Sequence, residues 1–153
     1  SEGTPSRKFD VIKNGELMTY LYNLESAQKD GTQSNGCGKR SYTGKASTGL
    51  DNVFVEKGTR SRQEMLNSLD KCLLVSKFEG SGIRSAVSGE ISLGIQGFLY
   101  EKGELVQPVD RVTIGGNYFD LLKDISEFSN EYPETFSSTK ISDMLISEMN
   151  ISC

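Results

Sequence analysis

The sequence predicts an α+β domain, mainly of antiparallel β-strands in a twisted or barrel-like sheet, with two or three covering helices. Apolar and polar residues alternate between Ser88 and Ile114 with the period of two that strands require. Short turns join most predicted strands, whereas parallel crossovers need about a dozen residues. Strand glycines such as Gly94 and Gly97 are typical of bent sheets. The length of 153 residues predicts one domain over residues 1–153.

The first part of the chain is predicted to form a hairpin, a short helix and a loop. Asn14 and Gly15 tolerate the positive φ angles of a type I′ turn between two strands. Gly31 is the kind of residue that ends a helix. The predicted elements are strands over 10–13 and 16–22, a helix over 24–29 and a polar loop over 31–49.

A capping-box pattern marks the next helix. Ser61 and Glu64 have the spacing in which each side chain bonds the other residue's backbone N–H. A helix is therefore predicted from this point to about Asp70, with Met65, Leu66 and Leu69 turned inward. Short apolar strands are predicted on either side, over 53–55 and 72–75.

The C-terminal part is predicted to contain a second hairpin and the longest helix. Apolar residues flank the turn Glu101–Glu104. Others recur at helical spacing from Tyr118 to Phe128, and Pro133 follows, so a helix is predicted over 118–130 with its apolar stripe in the core. The last strands are predicted over 144–146 and near 149–151.

The composition excludes several kinds of chemistry. The chain contains no histidine, the usual general base and zinc ligand, so a self-contained metalloprotease or a Ser-His-Asp hydrolase would lack its central residue. A net charge of −4 argues against direct nucleic-acid binding. No apolar run approaches the roughly 20 residues of a membrane span. Three cysteines without a CxxC pair predict a reducing, cytoplasmic location.

Two candidate motifs lie in the polar loop. Gly31 and Gly36 have the spacing of a phosphate loop, but Cys37 stands where that motif requires lysine. Nearby Lys39 and Arg40 would lower the pKa of the Cys37 thiol. A hydrolase that uses Cys37 therefore remains an alternative, although no histidine is available as its base.

Several segments, taken in chain order, resemble one known family. The most specific are Gly94–Phe98, which reads Gly-Ile-Gln-Gly-Phe, and Val112–Asn117, which reads Val-Thr-Ile-Gly-Gly-Asn. The others are 1–7, 13–17, 26–31, 53–58, 73–75, 88–90, 103–105, 108–109 and 144–146. Together they resemble the C-terminal third of the TldD/PmbA family, also called modulator of DNA gyrase or peptidase family U62.

The resemblance implies a C-terminal fragment of a longer, PmbA-like chain. In the family's catalytic subunit, an HExxxH helix in the N-terminal part and a cysteine in a C-terminal loop hold the metal. That cysteine would follow Glu131, but residues 132–138 contain none. The chain is therefore more similar to the PmbA/TldE branch, which has no metal site. No cofactor is expected in this chain, and zinc or iron is expected only in a TldD-like partner.

The resemblance further implies a role in a TldD/TldE metalloprotease complex. A TldD-like subunit would cleave unfolded peptides in a chamber, in peptide maturation or proteolysis, and this chain would shape the chamber and contribute subunit contacts. The chain itself is expected to be inactive alone, so its standing as an enzyme stays open. The alternative is a stand-alone protein-binding module of the gyrase-modulator type, without a protease role.

One segment is the candidate contact site. A peptide can add as a strand to a sheet edge and be bound through its backbone. The segment from Ser92 to Phe98 alternates small and apolar residues, and is predicted to be such an edge or a subunit contact, with an internal core strand as the open alternative. The candidate residues are Ser92, Gly94, Gln96, Gly97 and Phe98.

Overall fold

The computed structural model describes residues 2–80 and 87–152. The chain forms two compact units, Ser1–Val53 and Phe54–Cys153. Three helices and mainly antiparallel strands occur in the described residues, which confirms the predicted α+β class. Since compact units can belong to one domain, the single domain over residues 1–153 stays a prediction. No helix of the described part is long and apolar enough to cross a membrane.

The first unit consists of two small hairpins and a helix. Asn14 and Gly15 have φ angles of 52° and 81°, which confirms the predicted type I′ turn. The predicted loop over 31–49 contains a second short hairpin. The elements are β1 (Ile12–Lys13), β2 (Glu16–Leu17), α1 (Leu24–Lys29), β3 (Gly38–Lys39) and β4 (Ser47–Thr48).

The second unit contains the larger sheet. In the sequence, β5 includes the last residue of the first unit and the first residue of the second. The elements are β5 (Val53–Phe54), α2 (Arg62–Asn67), β6 (Lys71–Glu79), β7 (Glu90–Glu101), β8 (Glu104–Asn117), α3 (Tyr118–Asp124), β9 (Ile125–Phe128), β10 (Thr139–Lys140), β11 (Met144–Ile146) and β12 (Asn150–Ser152). The capping box of Ser61 and Glu64 is present at the start of α2, as predicted.

Four strands form the central sheet in the order β12-β8-β7-β6. Lys102 and Gly103, with φ angles of 51° and 83°, make the tight turn between β7 and β8. Ile95, Val112 and Ile114 form a buried cluster on one face of this sheet. We call this the core face and the opposite one the outer face.

The helix predicted over 118–130 is wrong in its second half. α3 ends at Asp124, and Ile125–Phe128 forms β9, which pairs antiparallel with β11. The apolar stripe is also not in the core, because Phe119 and Leu122 are 49% and 47% exposed. Spacing alone did not distinguish a helix from a short helix followed by a strand, and pairing with β11 decided between them.

Candidate functional site

The candidate residues in β7 lie on both faces of the central sheet. Successive strand residues point to opposite faces, and Ile95, which is fully buried, marks the core face. Gly97 lies on that face and is buried. The outer face receives Ser92, Gly94, Gln96 and Phe98, of which Phe98 is 38% exposed.

From Gly94 to Phe98 the segment is an internal strand, which contradicts a sheet edge there and agrees with the internal-strand alternative, while its role as a contact stays a prediction. From Gly94 to Phe98, β7 pairs with β6 on one side and with β8 on the other. Its backbone groups are engaged by these neighbours, and a peptide cannot add to them as a new strand. The candidate residues can make contacts only through a face of the sheet.

Both neighbours of β7 bulge beside Gln96. In β6 the register shifts between Val75 and Lys77, and in β8 it shifts opposite the step from Ile95 to Gly97. Arg111 lies in the β8 bulge and has a φ of 55°. Bulges bend a sheet and re-aim its side chains, so the sheet is distorted along one line through Gln96.

Gly97 permits this close approach. A Cβ at this position would lie 2.2 Å from the Leu74 carbonyl oxygen, so only glycine fits without a backbone shift. Beside it, Gln96 Nε2 donates to Glu79 Oε1 at 2.8 Å, and Ser76 Oγ donates to the Gln96 carbonyl at 3.1 Å. These bonds orient Gln96 on the outer face.

Small polar residues surround Ser92 and Gly94 on the outer face. Register places Gly115 opposite Ser92 and Thr113 opposite Gly94. On β12, Asn150 and Ser152 continue the same two rows. The side chains that β7, β8 and β12 place here are short, whereas on the β6 side the Glu79 Cβ would lie 3.4 Å from a Cβ added at Gly94. Short side chains allow another protein surface to approach closely.

The segment at which the resemblance places a metal-binding cysteine begins with Tyr132, whose ring and hydroxyl contact residues before α2. Tyr132 Oη donates to the Val55 carbonyl at 2.7 Å, and Lys57 Nζ lies 5.2 Å from the centre of the Tyr132 ring. Among residues 2–80 and 87–152, no group of three or more Cys, Asp or Glu side chains is close enough together to hold a metal ion. Tyr132 is therefore used to fix the loop.

Two arginines near the start of α2 bind carboxylates of other segments. Arg60 donates to both oxygens of Glu127 at 2.8 and 2.6 Å, and Arg62 donates to both oxygens of Asp143 at 2.7 and 3.0 Å. The Glu127 hydrogen bond raises the pKa of Arg60. These side chains join the start of α2 to β9 and to the residue before β11, and Glu127 is not a free acid for catalysis.

Cys37 does not have the environment of a nucleophile. The residue is 4% exposed. Burial raises the pKa of its thiol, and the charge of Lys39 only partly opposes that effect. A reactive cysteine needs a lowered pKa and access to its substrate. The predicted effect of Lys39 is therefore present but outweighed.

The fold defines the class of protein as a mixed α+β domain with a bent, mainly antiparallel sheet. The chain matches the PmbA/TldA metallopeptidase C-terminal domain over residues 1–153. It belongs to the PmbA/TldD family.

Individual relatives agree with this assignment. The chain is 34% identical to the metalloprotease PmbA of Escherichia coli O157:H7 over 151 residues, which is 99% of this chain and 31% of that protein. TldE of Thermococcus kodakarensis has a TM-score of 0.87 and 27% identity, over 99% of this chain and 35% of that one. A Thermotoga maritima protein described as a modulator of a DNA gyrase has a TM-score of 0.84 and 30% identity, over 98% and 34%. The chain thus spans about a third of their length.

Proposed function

We propose that this chain is the non-catalytic C-terminal domain of a PmbA/TldE-like subunit. It joins a TldD-like subunit in a cytoplasmic metalloprotease complex that cleaves unfolded peptides. The zinc or iron ion belongs to the TldD-like subunit, and this domain contributes subunit contacts and part of the wall of a peptide chamber.

The fixed loop after Glu131 carries the proposal. Tyr132 is bonded to Val55 and lies against Lys57, and residues 132–138 contain no cysteine. The cysteine is the metal ligand that the resemblance places in this part of the chain, so its replacement by these contacts supports a partner role over a catalytic one.

The outer face of the sheet supports the contact role. Ser92, Gly94 and Gln96 form a strip on this face beside the partly exposed ring of Phe98. Aromatic residues are enriched at the centre of protein interfaces. We assign this strip to the contact with the TldD-like subunit.

Complex formation tests the assignment. The chain is mixed with a purified TldD-like subunit that contains HExxxH, and the mass is measured by light scattering after gel filtration. A complex is expected. Ser92→Arg should weaken it by at least about tenfold, because a long, unpaired charged side chain on this strip would prevent close contact between the two proteins. Thr43→Arg, an exposed change in the first unit, is the control.

Two results would contradict the assignment. One is the absence of any complex at micromolar concentrations of both proteins. The other is equal weakening by Ser92→Arg and Thr43→Arg, since it would show that the outer face is not the contact surface.

A gyrase-modulator module is the second candidate function. It is favoured by the similarity to the Thermotoga maritima protein described in those words. Because the net charge is −4, such a module would bind a protein such as gyrase rather than DNA. Pull-down of gyrase by the chain in the absence of a TldD-like subunit would favour it, and capture of the TldD-like subunit alone would exclude it.

A further inference from the structure

The first unit contains an open trough of about 570 Å³, a volume within the range of small-ligand sites. The face of α1 that carries Leu24, Ala27 and Gln28 forms its floor. The N-terminal segment forms one wall and the segment after α1 forms the other. The remaining lining residues are Thr4, Arg7, Thr32, Gln33 and Ser34.

The N-terminal wall is held in place on both sides of Thr4. The Glu2 carboxylate accepts a hydrogen bond from the Leu24 N–H at 3.1 Å. Pro5 lies directly against Gly36, where an added Cβ would be 2.8 Å from the Pro5 carbonyl oxygen. The glycine is needed here for that contact and for its φ of 83°.

The opposite wall is held by two polar side chains. Asn35 accepts from the Tyr22 N–H at 2.9 Å and donates to the Tyr20 carbonyl at 2.8 Å. Ser34 Oγ donates to the Tyr22 carbonyl at 3.2 Å. Because both walls are fixed by such contacts, the trough is formed before any ligand arrives, which lowers the entropic cost of binding.

Three of the polar side chains that line the trough have no partner in the described part of the chain, whereas Ser34 is bonded to Tyr22. Among the described residues, the side chains of Arg7, Gln28 and Thr32 have no hydrogen-bond or ion-pair partner within the chain. Arg7 is the one charged residue among those that line the trough. The nearby carbonyls of Ala27 and Gln28 already accept from Thr32 and Gly31, so they contribute little repulsion to an anion.

We propose that this trough binds a carboxylate carried beside a short aliphatic group, as at the C-terminus of a peptide or in a free acylated amino acid. Arg7 pairs with the carboxylate through two N–H groups. The aliphatic group packs on the half-exposed side chain of Leu24, and Gln28 bonds the neighbouring amide. The proposal concerns the first unit alone and does not depend on the proposed function.

The test is a titration of the chain with Ala-Ala-Leu, its C-terminal amide and N-acetyl-leucine, followed by amide NMR shifts and calorimetry. Saturable shifts over residues 27–34 are expected with the free acids and not with the amide. Arg7→Gln should weaken binding about tenfold or more, the loss expected for a charge-assisted pair. Lys8→Gln removes the same charge outside the trough and should change little.

A second variant tests the floor. Leu24→Gln removes the apolar surface under the ligand, places no charge beside Glu2 and keeps a good helix-forming residue in the first turn of α1, so it should weaken binding without unfolding the unit. Tighter binding of Ala-Ala-Leu than of N-acetyl-leucine would identify the peptide as the source, and the reverse would identify the free acid. Equal binding of the amide, no saturation at millimolar ligand, or equal effects of Arg7→Gln and Lys8→Gln would overturn the proposal.

Discussion

The two units of the chain are stabilised by different kinds of interaction. In the second unit, Ile95, Val112 and Ile114 form an apolar cluster under a four-stranded sheet. The first unit has only two-residue strands, and Asn23 and Asn35 bond its backbone through their side chains. The difference teaches that large changes in stability should come from apolar truncation in the second unit and from polar truncation in the first.

The largest expected effect is that of Ile95→Ala. Ile95 is fully buried, so its truncation leaves a cavity and should lower the free energy of unfolding by roughly 3 kcal/mol. Urea denaturation followed by circular dichroism measures the change. Ile12→Ala, at a position that is 66% exposed, is the control and should stay within about 0.5 kcal/mol. Equal costs for the two variants would show that the sheet does not hold a packed core.

The next effect is the loss of the α1 cap in Asn23→Ala. Asn23 Oδ1 accepts from the Ser26 N–H at 2.7 Å and Ser26 Oγ accepts from the Asn23 N–H at 3.0 Å, so the change removes one of two reciprocal bonds. A cost of about 1 kcal/mol is expected. Hydrogen exchange should rise in residues 24–29 and stay unchanged in β7. A rise in both regions would mean that the two units unfold together.

Arg111→Gly is expected to raise the free energy of unfolding slightly. The φ of 55° is unfavourable for arginine, and its side chain is 91% exposed, so little packing is lost. A net stabilisation of roughly 0.5 kcal/mol is expected, because strain relief slightly exceeds the added freedom of the unfolded chain. Asn14→Gly is the control, because asparagine tolerates its φ of 52° and should not gain. Destabilisation by Arg111→Gly alone would show that the arginine side chain supports the bulge.

The smallest effect on stability concerns the pH dependence set by Cys37. Burial raises the pKa of this thiol in the folded chain. The thiol of the folded chain therefore stays protonated at a higher pH than the thiol of the unfolded chain. The stabilisation from this difference is complete below the thiol pKa of the unfolded chain and is lost as pH rises through that of the folded chain, so the free energy of unfolding should fall above about pH 8.5. Cys37→Ser should flatten that decline. Peptide mapping after iodoacetamide treatment at pH 8 should find Cys37 labelled at least about tenfold more slowly than in urea; equal rates would contradict its burial.

Local signals predicted most of the individual elements. The Asn14 turn and the Ser61 capping box depend on residues close in sequence, and the alternation around Ile95 correctly gave the buried face. The end of α3 was missed because β9 exists through pairing with β11, whose Leu145 registers against Glu127. No local pattern at Ile125 contains that information.

The candidate site was only half predictable for a similar reason. The alternation places Gln96 and Phe98 on one face of the strand and Gly97 on the other. It could not show that β7 pairs with β6 along one edge as well as with β8 along the other. Strand order is set by long-range pairing, and an internal strand and an edge strand can share one sequence pattern. The predicted helix over 24–29 agrees with α1, and the capping-box spacing of Asn23 and Ser26 is a second local signal for its start. The trough at Arg7 gave no sequence signal, because it combines the N-terminal segment with residues 24–34, which are distant in sequence.

Peptide hydrolysis measured with each protein alone and with both together tests the central claim most directly. Unfolded casein is incubated with zinc or iron and this chain, with the TldD-like subunit, and with the mixture. The account predicts no cleavage by this chain alone and metal-dependent cleavage wherever the TldD-like subunit is present, altered in rate or product pattern by adding this chain. Chelator-sensitive cleavage by this chain alone would contradict it.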